Sequence, residues 1–138
     1  MHLVDVEIEL QPVYHKEPPD IRVGVNGSMT PWILDSARKF PFKFYAEYQS
    51  ILQVEFVNKQ PGDTVVEKNL DKAVIVKSVS FFGITDPKFA WAGMYQRQHN
   101  HNAVSQTYLS YNGTWTLQFD VPVFSWMHRV QGLGWIYQ

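Results

Sequence analysis

The sequence contains no cysteine. This absence excludes disulfide bonds, a thiol nucleophile and a cysteine-ligated zinc site. Charged residues are also scarce, at 18% of the 138 residues, below the roughly 25% that is usual for globular domains. The 12 basic and 13 acidic side chains are scattered, and no basic run is available to neutralise phosphates. The composition therefore argues against nucleic acid as a partner.

Long apolar runs are missing at the start of the chain. The first ten residues, MHLVDVEIEL, alternate apolar with acidic side chains, so we expect neither a signal peptide nor a membrane-spanning segment. A protein of this kind that works outside a cell would leave it by lysis or by assembly into a particle. We therefore predict an extracellular location or a place on a virion surface.

Catalytic motifs are absent too. The sequence has no G-x-S-x-G nucleophile motif, no glycine-rich phosphate loop and no H-E-x-x-H zinc motif. Three carboxylates occur together between Asn58 and Asp71, but no aromatic side chain accompanies them. A catalytic carboxylate pair needs surroundings that separate the pKa values of its members. We predict that the chain is not an enzyme.

Two-residue alternation, the pattern of a strand with one buried face, is abundant. It runs through LVDVEIEL, IRVGV, KFPFKFY and ILQVEFVN. IRVGV is followed by Asn26-Gly27, a hairpin turn signal, and Pro41 within KFPFKFY indicates either an edge strand or the beginning of a strand. AVIVKSVSFFGI is apolar on both faces, as expected of a central strand that is covered on each side.

The second half of the chain continues the strand pattern. We predict a hairpin with arms TYLSY and TWTLQFDV joined through Asn112-Gly113, and short final strands at VFSW and GLGWIY. No segment has helical periodicity for long, although ILDSARKF could form a turn or two. The sequence thus predicts one all-β domain over residues 1–138, an antiparallel β-sandwich of jelly-roll type, with an aromatic C-terminal extension at about 122–138.

The loop between ILQVEFVN and AVIVKSVS is rich in oxygen donors. Calcium takes six to eight oxygen ligands from carboxylates, amides and backbone carbonyls. Lys59 and Lys68 lie among the acids and would repel a cation or pair with the carboxylates. Composition leaves both a calcium site and a plain solvated connection open, and favours the connection. The candidate calcium ligands are Asn58, Asp63, Glu67 and Asp71.

A family resemblance bears on this loop. The stretch VGVNGSMTPWILDSARKFPFKFYAEYQSILQVEFVN, followed by an acidic loop and LDKAVIVKSVSFFGI, resembles the small calcium-dependent xylan-binding modules of glycan-degrading enzymes. The match covers about residues 21–84. It implies a jelly-roll sandwich whose acidic loop binds calcium, with the vicinal hydroxyls of a sugar completing the metal shell. Asn58 and Asp71 match the family pattern, and Asp63 and Glu67 lie in the equivalent loop.

The sequence departs from that family at three positions. Lys59 stands where the family has a second acid, Ala73 where it has an amide, and Lys77 where it has another acid. Two of the three departures replace negative charge by positive charge. The resemblance therefore carries more weight for the fold than for the metal.

Aromatic residues make up 15% of the chain, and some of them are candidates for sugar binding, because pyranose C–H faces stack on Trp and Tyr rings. The segment KFAWAGMYQRQ combines rings with hydrogen-bonding side chains, although Trp91 could instead close one end of the sandwich. The predicted glycan platform comprises Trp91, Tyr95, Arg97, Gln98 and Trp32.

The C-terminal extension is unusually apolar for a chain end. Such a segment needs a docking surface, which could be its own sheet or another subunit. The predicted assembly contacts are Trp126, Trp135, Ile136 and Tyr137.

Two functions are consistent with these features. The first, which we favour at this level, is a non-catalytic virion-associated protein, such as a phage decoration or fibre protein. It would contact a protein lattice or its own copies, and host polysaccharide as well. The alternative is a calcium-assisted carbohydrate-binding module of a glycan-degrading system. Calcium is the only candidate cofactor in either case. Fold analogy alone is a weak basis for either function.

Overall fold

The computed structural model describes residues 1–100 and 102–132. Within these residues the chain forms eleven strands, two short α-helices and two 3₁₀ turns. The strands are β1 (His2–Val13), β2 (Asp20–Val25), β3 (Ser28–Ile33), β4 (Arg38–Ala46), β5 (Gln49–Phe56), β6 (Ala73–Phe81), β7 (Ile84–Thr85), β8 (Met94–Arg97), β9 (Val104–Ser105), β10 (Tyr108–Leu109) and β11 (Gly113–Asp120). The helices are α1 (Pro87–Trp91) and α2 (Val123–Val130), and the 3₁₀ turns span Pro61–Asp63 and Val66–Lys68.

The strands form two antiparallel sheets. Sheet A has the order β10-β6-β1-β4, with β7 paired to the end of β6. Sheet B has the order β3-β2-β5-β11-β8-β9. The two sheets bury their facing sides in one hydrophobic cluster, which confirms the predicted antiparallel β-sandwich.

Alternation places the core residues where the sequence predicts them. Val4, Val6, Ile8 and Leu10 of β1 are fully buried, and β1 lies between β4 and β6. On the other sheet, β5 and β11 align buried residues directly, with Leu52 opposite Leu117. Each such side chain contributes about 1.5–3 kcal/mol through removal from water.

Three local predictions are confirmed. Asn26 and Gly27 have φ values of 51° and 85° and join β2 to β3 in a hairpin, as the left-handed turn residues require. Pro41 lies in β4, an edge strand of sheet A, where its missing N–H does not interrupt a ladder on both sides. AVIVKSVSF forms β6, an interior strand of the same sheet.

The hairpin predicted at Asn112-Gly113 is wrong. β10 pairs with β6 in sheet A, whereas β11 pairs with β5 and β8 in sheet B, so the chain crosses between the sheets at this point. Neither Asn112 nor Gly113 has the positive φ of a two-residue hairpin turn. Instead the Asn112 side chain bonds the backbone of Lys59, donating to its carbonyl and accepting from its N–H. These long-range bonds select the crossing.

The strand predicted at VFSW is also wrong, because this segment begins α2. Val123, Trp126, Met127 and Val130 recur at helical spacing and pack on the core. Helix α1 begins after Asp86, whose carboxylate accepts a hydrogen bond from the backbone N–H of Lys88 at 2.9 Å.

Two further predictions concern the segments ILDSARKF and GLGWIY. ILDSARKF forms no helical turn, since residues 35–37 bend between β3 and β4. The strand predicted at GLGWIY lies almost wholly on residues 133–138, outside the described residues. Neither α1 nor α2, the only helices of the described chain beyond single turns, is long and apolar enough to cross a membrane.

Candidate functional site

One end of the outer face of sheet B carries a mixed polar and apolar surface. Ile21 and Val23 of β2 are buried, so the intervening Arg22 points outward. Arg22 pairs with Glu55, Glu55 with Thr114, and Thr114 with Gln96 in one row across four strands. At the usual strand spacing of about 4.8 Å, the row and its extension to β3 span roughly 19 Å. We call this the strand-end surface; its residues are Arg22, Pro31, Ile33, Glu55, Val57, Gln96, Gln98 and Thr114.

The part of this surface over β8 and β11 is a polar concavity of about 490 Å³. Five of its lining residues have amide or hydroxyl side chains, which can both donate and accept hydrogen bonds. The Gln98 N–H donates to the Asn112 carbonyl at 2.8 Å, which holds two walls of the concavity together. The lining side chains include Gln96, Gln98, Asn100, Asn112 and Thr114.

Two charged residues also line this concavity. Glu55 is paired with Arg22, with 3.6 Å between carboxylate and guanidinium. The guanidinium of Arg97 lies 4.3 Å from the ring centre of Tyr111, a cation–π contact that orients it. Within the described part of the chain Arg97 has no carboxylate partner. Arg97 lies two residues after the buried Tyr95 on β8 and pairs with Gly113, so its side chain leaves the strand on the face opposite to that of Gln96.

Tyr95, predicted as part of the glycan platform, is a buried positioning residue instead. Its side chain is fully buried, because β8 places it opposite the buried Trp115. Its hydroxyl donates to the Tyr111 carbonyl and accepts from the Tyr111 N–H at 3.1 Å. Burial raises the pKa of Tyr95 to about 12. Tyr95 thus fixes the backbone of Tyr111, and the guanidinium of Arg97 lies over the Tyr111 ring.

The part of the strand-end surface over β2 and β3 is apolar. A concavity of about 520 Å³ is lined there by Pro31, Trp32, Ile33 and Val57, among others. Trp32 is 37% exposed, and the Arg38 guanidinium covers one of its faces at 3.9 Å from the ring centre. Val57 lines both concavities. The apolar and polar parts therefore form one continuous surface.

Trp91 lies elsewhere. It ends α1, is 59% exposed and lines a separate groove of about 280 Å³ together with residues of β6 and Thr107. Its carbonyl accepts a hydrogen bond from the Ser105 hydroxyl at 2.6 Å. The predicted platform is therefore divided: Arg97 and Gln98 are residues of the polar concavity, Trp32 lines the apolar one, and Trp91 belongs to a separate groove.

The assembly contact predicted at Trp126 is wrong. Trp126 is 7% exposed and packs in an aromatic cluster, with ring centres 5.3 Å from Phe81, 5.7 Å from Phe89 and 6.0 Å from Phe119. It closes the core beneath α2 and is not available to another subunit. The other predicted contacts, Trp135, Ile136 and Tyr137, lie outside the described residues.

The acidic loop that joins β5 to β6 is held by lysines. The Lys59 ammonium lies 2.5 Å from Asp71 Oδ1 and 2.5 Å from the Lys72 carbonyl oxygen. Asp71 also accepts from the Thr64 hydroxyl at 2.6 Å and the Tyr108 hydroxyl at 2.8 Å. Partial burial alone would raise the pKa of Asp71, but hydrogen bonds, foremost from Lys59 and Thr64, lower it to about 2.

A second lysine holds the other end of the loop. The Lys72 side chain is 3% exposed, and its ammonium donates to the Asn58 carbonyl at 3.0 Å and lies 3.6 Å from Asp63 Oδ2. Asp63 Oδ2 also accepts the Gln60 N–H at 2.7 Å. The Asn58 amide oxygen accepts the Asp20 N–H at 2.7 Å.

The four predicted calcium ligands do not form one metal shell in this arrangement. Glu67 is exposed on the second 3₁₀ turn, and the oxygens of Asn58, Asp63 and Asp71 are bonded to lysine ammoniums or backbone N–H groups. No three acidic or histidine side chains converge anywhere in residues 1–100 or 102–132. A hard cation needs six or more oxygens around one point. The residues present therefore do not fit calcium.

Sequence reasoning missed several residues of this region. Lys72 is one, although a lysine directly before the apolar run AVIV is a signal for a buried ammonium, because burial requires a partner acid. Glu55, Gln96 and Thr114 carried no motif. They come together only through the pairing of Thr114 with Glu55 and with Gln96, which are 59 and 18 positions away in the chain, and local patterns do not encode such pairing.

Stability should fall with acid because of Asp71. A carboxyl whose pKa drops from 3.8 to about 2 on folding adds stability above pH 4 that disappears as the pH falls through 2. With an allowance for its 24% exposed side chain, we expect a loss of about 1–2 kcal/mol between pH 5 and pH 2. Urea unfolding at a series of pH values measures it. The Asp71→Asn variant should show a correspondingly flatter profile; an equal slope in both proteins would contradict the assignment.

Comparison with known proteins supports the fold. No family model and no curated protein matches the sequence. A solved structure described as "vCBM60 in complex with galactobiose" matches 82% of this chain and 96% of its own, with a TM-score of 0.52 and 14% identity. A second structure of vCBM60 matches 83% of this chain and 89% of its own, with a TM-score of 0.53 and 14% identity, and its description refers to calcium-dependent carbohydrate binding modules. The resemblance inferred over residues 21–84 is thus confirmed as a resemblance of fold, over most of the chain.

Proposed function

We propose that this protein is a non-catalytic glycan-binding module and that the strand-end surface is its binding surface. The observation that carries the proposal is the continuity of a polar concavity with an apolar one across Val57, on a sandwich that shares its fold with carbohydrate-binding modules. Sugars present apolar C–H faces and polar hydroxyl edges, so a surface of this kind matches both.

Each half of the surface has a role in this proposal. The exposed side chains of Ile33 and Val57 and the partly exposed ring of Trp32 contact C–H faces. Gln96, Gln98 and Thr114 bond hydroxyl oxygens at the polar end. The bond from the Gln98 N–H to the Asn112 carbonyl holds the backbone of this wall before any ligand arrives, which lowers the entropic cost of binding.

The virion role predicted from the sequence stays a prediction. Within the described residues, the one predicted assembly residue, Trp126, is buried, and the comparisons contain carbohydrate-binding modules alone. The alternative given above, a carbohydrate-binding module, is therefore the better supported function. Its calcium dependence is a separate matter, and the lysines of the acidic loop argue against it.

A glycan array followed by calorimetric titration tests the proposal. We expect Gln96→Ala to weaken binding of the array hit by roughly 3–10-fold, since it removes hydrogen bonds that contribute about 0.5–1.5 kcal/mol. Trp91→Ala is the matched control, because Trp91 lies on a separate groove, and it should bind like the wild type. Loss of binding in Trp91→Ala with none in Gln96→Ala would move the site to α1, and a protein that binds no glycan would refute the function.

A further inference from the structure

We infer that the ammonium groups of Lys59 and Lys72 take the place of a metal cation in the acidic loop, so that the protein folds and keeps its strand-end surface without calcium. The inference concerns the chain's own lysines. It holds whether or not the proposed function is correct, except where glycan binding is named below.

The first support is the identity of the oxygens that the lysines contact. Each ammonium takes one carboxylate oxygen and one backbone carbonyl: Asp71 and the Lys72 carbonyl for Lys59, Asp63 and the Asn58 carbonyl for Lys72. Carboxylates and backbone carbonyls are the ligands that calcium prefers. The oxygens available to a cation in this loop are thus already occupied by positive charge.

The second support is the charge of the cluster. Two ammoniums oppose two carboxylates, Asp63 and Asp71, so the buried part of the loop is neutral. A divalent ion placed here would be repelled by both lysines and would gain no net negative charge in return.

The third support is burial, which prevents the lysines from leaving. The Lys72 side chain is 3% exposed and that of Lys59 is 12% exposed. A surface lysine can swing into solvent to admit a metal, but these two cannot do so unless the loop opens.

The lysine cluster, formed by Lys59 and Lys72 with Asp63 and Asp71, also fixes the residues next to the two concavities. The backbone of Lys59 exchanges two hydrogen bonds with the Asn112 side chain, its N–H to Oδ1 at 2.7 Å and its carbonyl to Nδ2 at 3.2 Å. Asn112 lines the polar concavity. The Asn58 amide bonds the Asp20 N–H and the Pro18 carbonyl, next to the apolar concavity. The cluster therefore fixes the rim of both halves of the strand-end surface.

Thermal unfolding with calcium or with a chelator tests the inference directly. We expect the midpoint of the wild-type protein to change by less than about 1 °C between millimolar CaCl₂ and excess EDTA, because a ligand that does not bind the native state does not stabilise it. Calorimetric titration of the chelator-treated protein with CaCl₂ should give no saturable heat. A calcium-dependent rise in midpoint, or saturable binding, would overturn the inference.

A variant pair tests the part played by the ammonium. Lys59→Met should lower the midpoint by roughly 5–10 °C, because it leaves a partly buried carboxylate uncompensated. Lys68→Met, an exposed lysine of the same loop, is the matched control and should melt within about 1 °C of the wild type. If the two variants melted alike, the cluster would not hold the loop.

Glycan affinity gives a further measurement, which rests on the proposed function. The array hit should bind the wild type equally well in CaCl₂ and in EDTA. Stronger binding in CaCl₂ would overturn the inference while supporting the function. Absence of any glycan hit would refute the function alone, since the unfolding and titration results would still decide the inference.

Discussion

Replacing Gly93 with alanine should lower the free energy of unfolding by about 3 kcal/mol. A Cβ at this position would lie 2.2 Å from both Cε2 and Cζ2 of the Trp115 indole and 2.4 Å from its Nε1. Trp115 is fully buried between Val54 and Tyr95, so the ring cannot move away without displacing its neighbours. Closely packed interiors do not absorb an overlap of this size.

Urea unfolding monitored by circular dichroism measures the effect, and a double-mutant cycle assigns it. Trp115→Phe removes part of the indole that the new methyl group would meet, so Gly93→Ala should cost much less in that background. Gly62→Ala is the matched control, because its Cβ would meet only the Lys16 ammonium, at 3.6 Å. Equal costs for Gly93→Ala in both backgrounds would mean that the overlap with Trp115 is not the cause.

The architecture could be predicted because it follows from the alternation of apolar and polar residues within each strand. Strand β1 needs only its own apolar positions to define a buried face, and Asn26-Gly27 needs only two residues to define a turn. The crossing of the chain from sheet A to sheet B at Asn112 could not be predicted from local alternation. It depends on hydrogen bonds to Lys59, 53 positions earlier in the chain.

The two helices were missed for different reasons. Helix α1 has five residues, too few for periodicity to be recognised, although the capping Asp86 followed by a proline is a start signal. Helix α2 has the right spacing at Val123, Trp126 and Val130, but its apolar residues also suit a short strand. Packing on the aromatic core selects the helix.

The candidate site could be predicted in part. Arg97 and Gln98 were selected because polar side chains lay beside rings, and they do share a concavity. Tyr95 and, two positions later, the side chain of Arg97 leave β8 on the other face, since β8 has only four residues and alternation over so short a strand does not say which face is buried. The position of Tyr95 opposite Trp115 follows from tertiary pairing.

The acidic loop shows how one change of residue type alters the chemistry of a shared fold. Lys59 stands where the calcium-dependent family has an acid, and its ammonium bonds Asp71 directly. Lys72, directly before the apolar run of β6, adds a second internal cation. Fold similarity at 14% identity is therefore compatible with a different way of holding the same loop.

Replacing Lys72 with methionine should lower the free energy of unfolding by about 3–5 kcal/mol, which is the usual cost of removing one partner of a buried ion pair. Methionine keeps the length and apolar stem of the side chain but leaves the Asp63 carboxylate, 9% exposed, without its cation. It also leaves the Asn58 carbonyl without its donor.

The measurement is urea unfolding at pH 7 of three proteins besides the wild type. Lys72→Met should be strongly destabilised, and Lys77→Met, an exposed lysine of the same strand region, should stay within about 0.5 kcal/mol of the wild type. Adding Asp63→Asn to Lys72→Met removes the uncompensated charge, while an amide oxygen can still accept the Gln60 N–H that Asp63 now accepts. The double variant should therefore be more stable than Lys72→Met alone. If it were less stable, the loss would come from packing and not from charge, and the lysines would not act as the loop's cations.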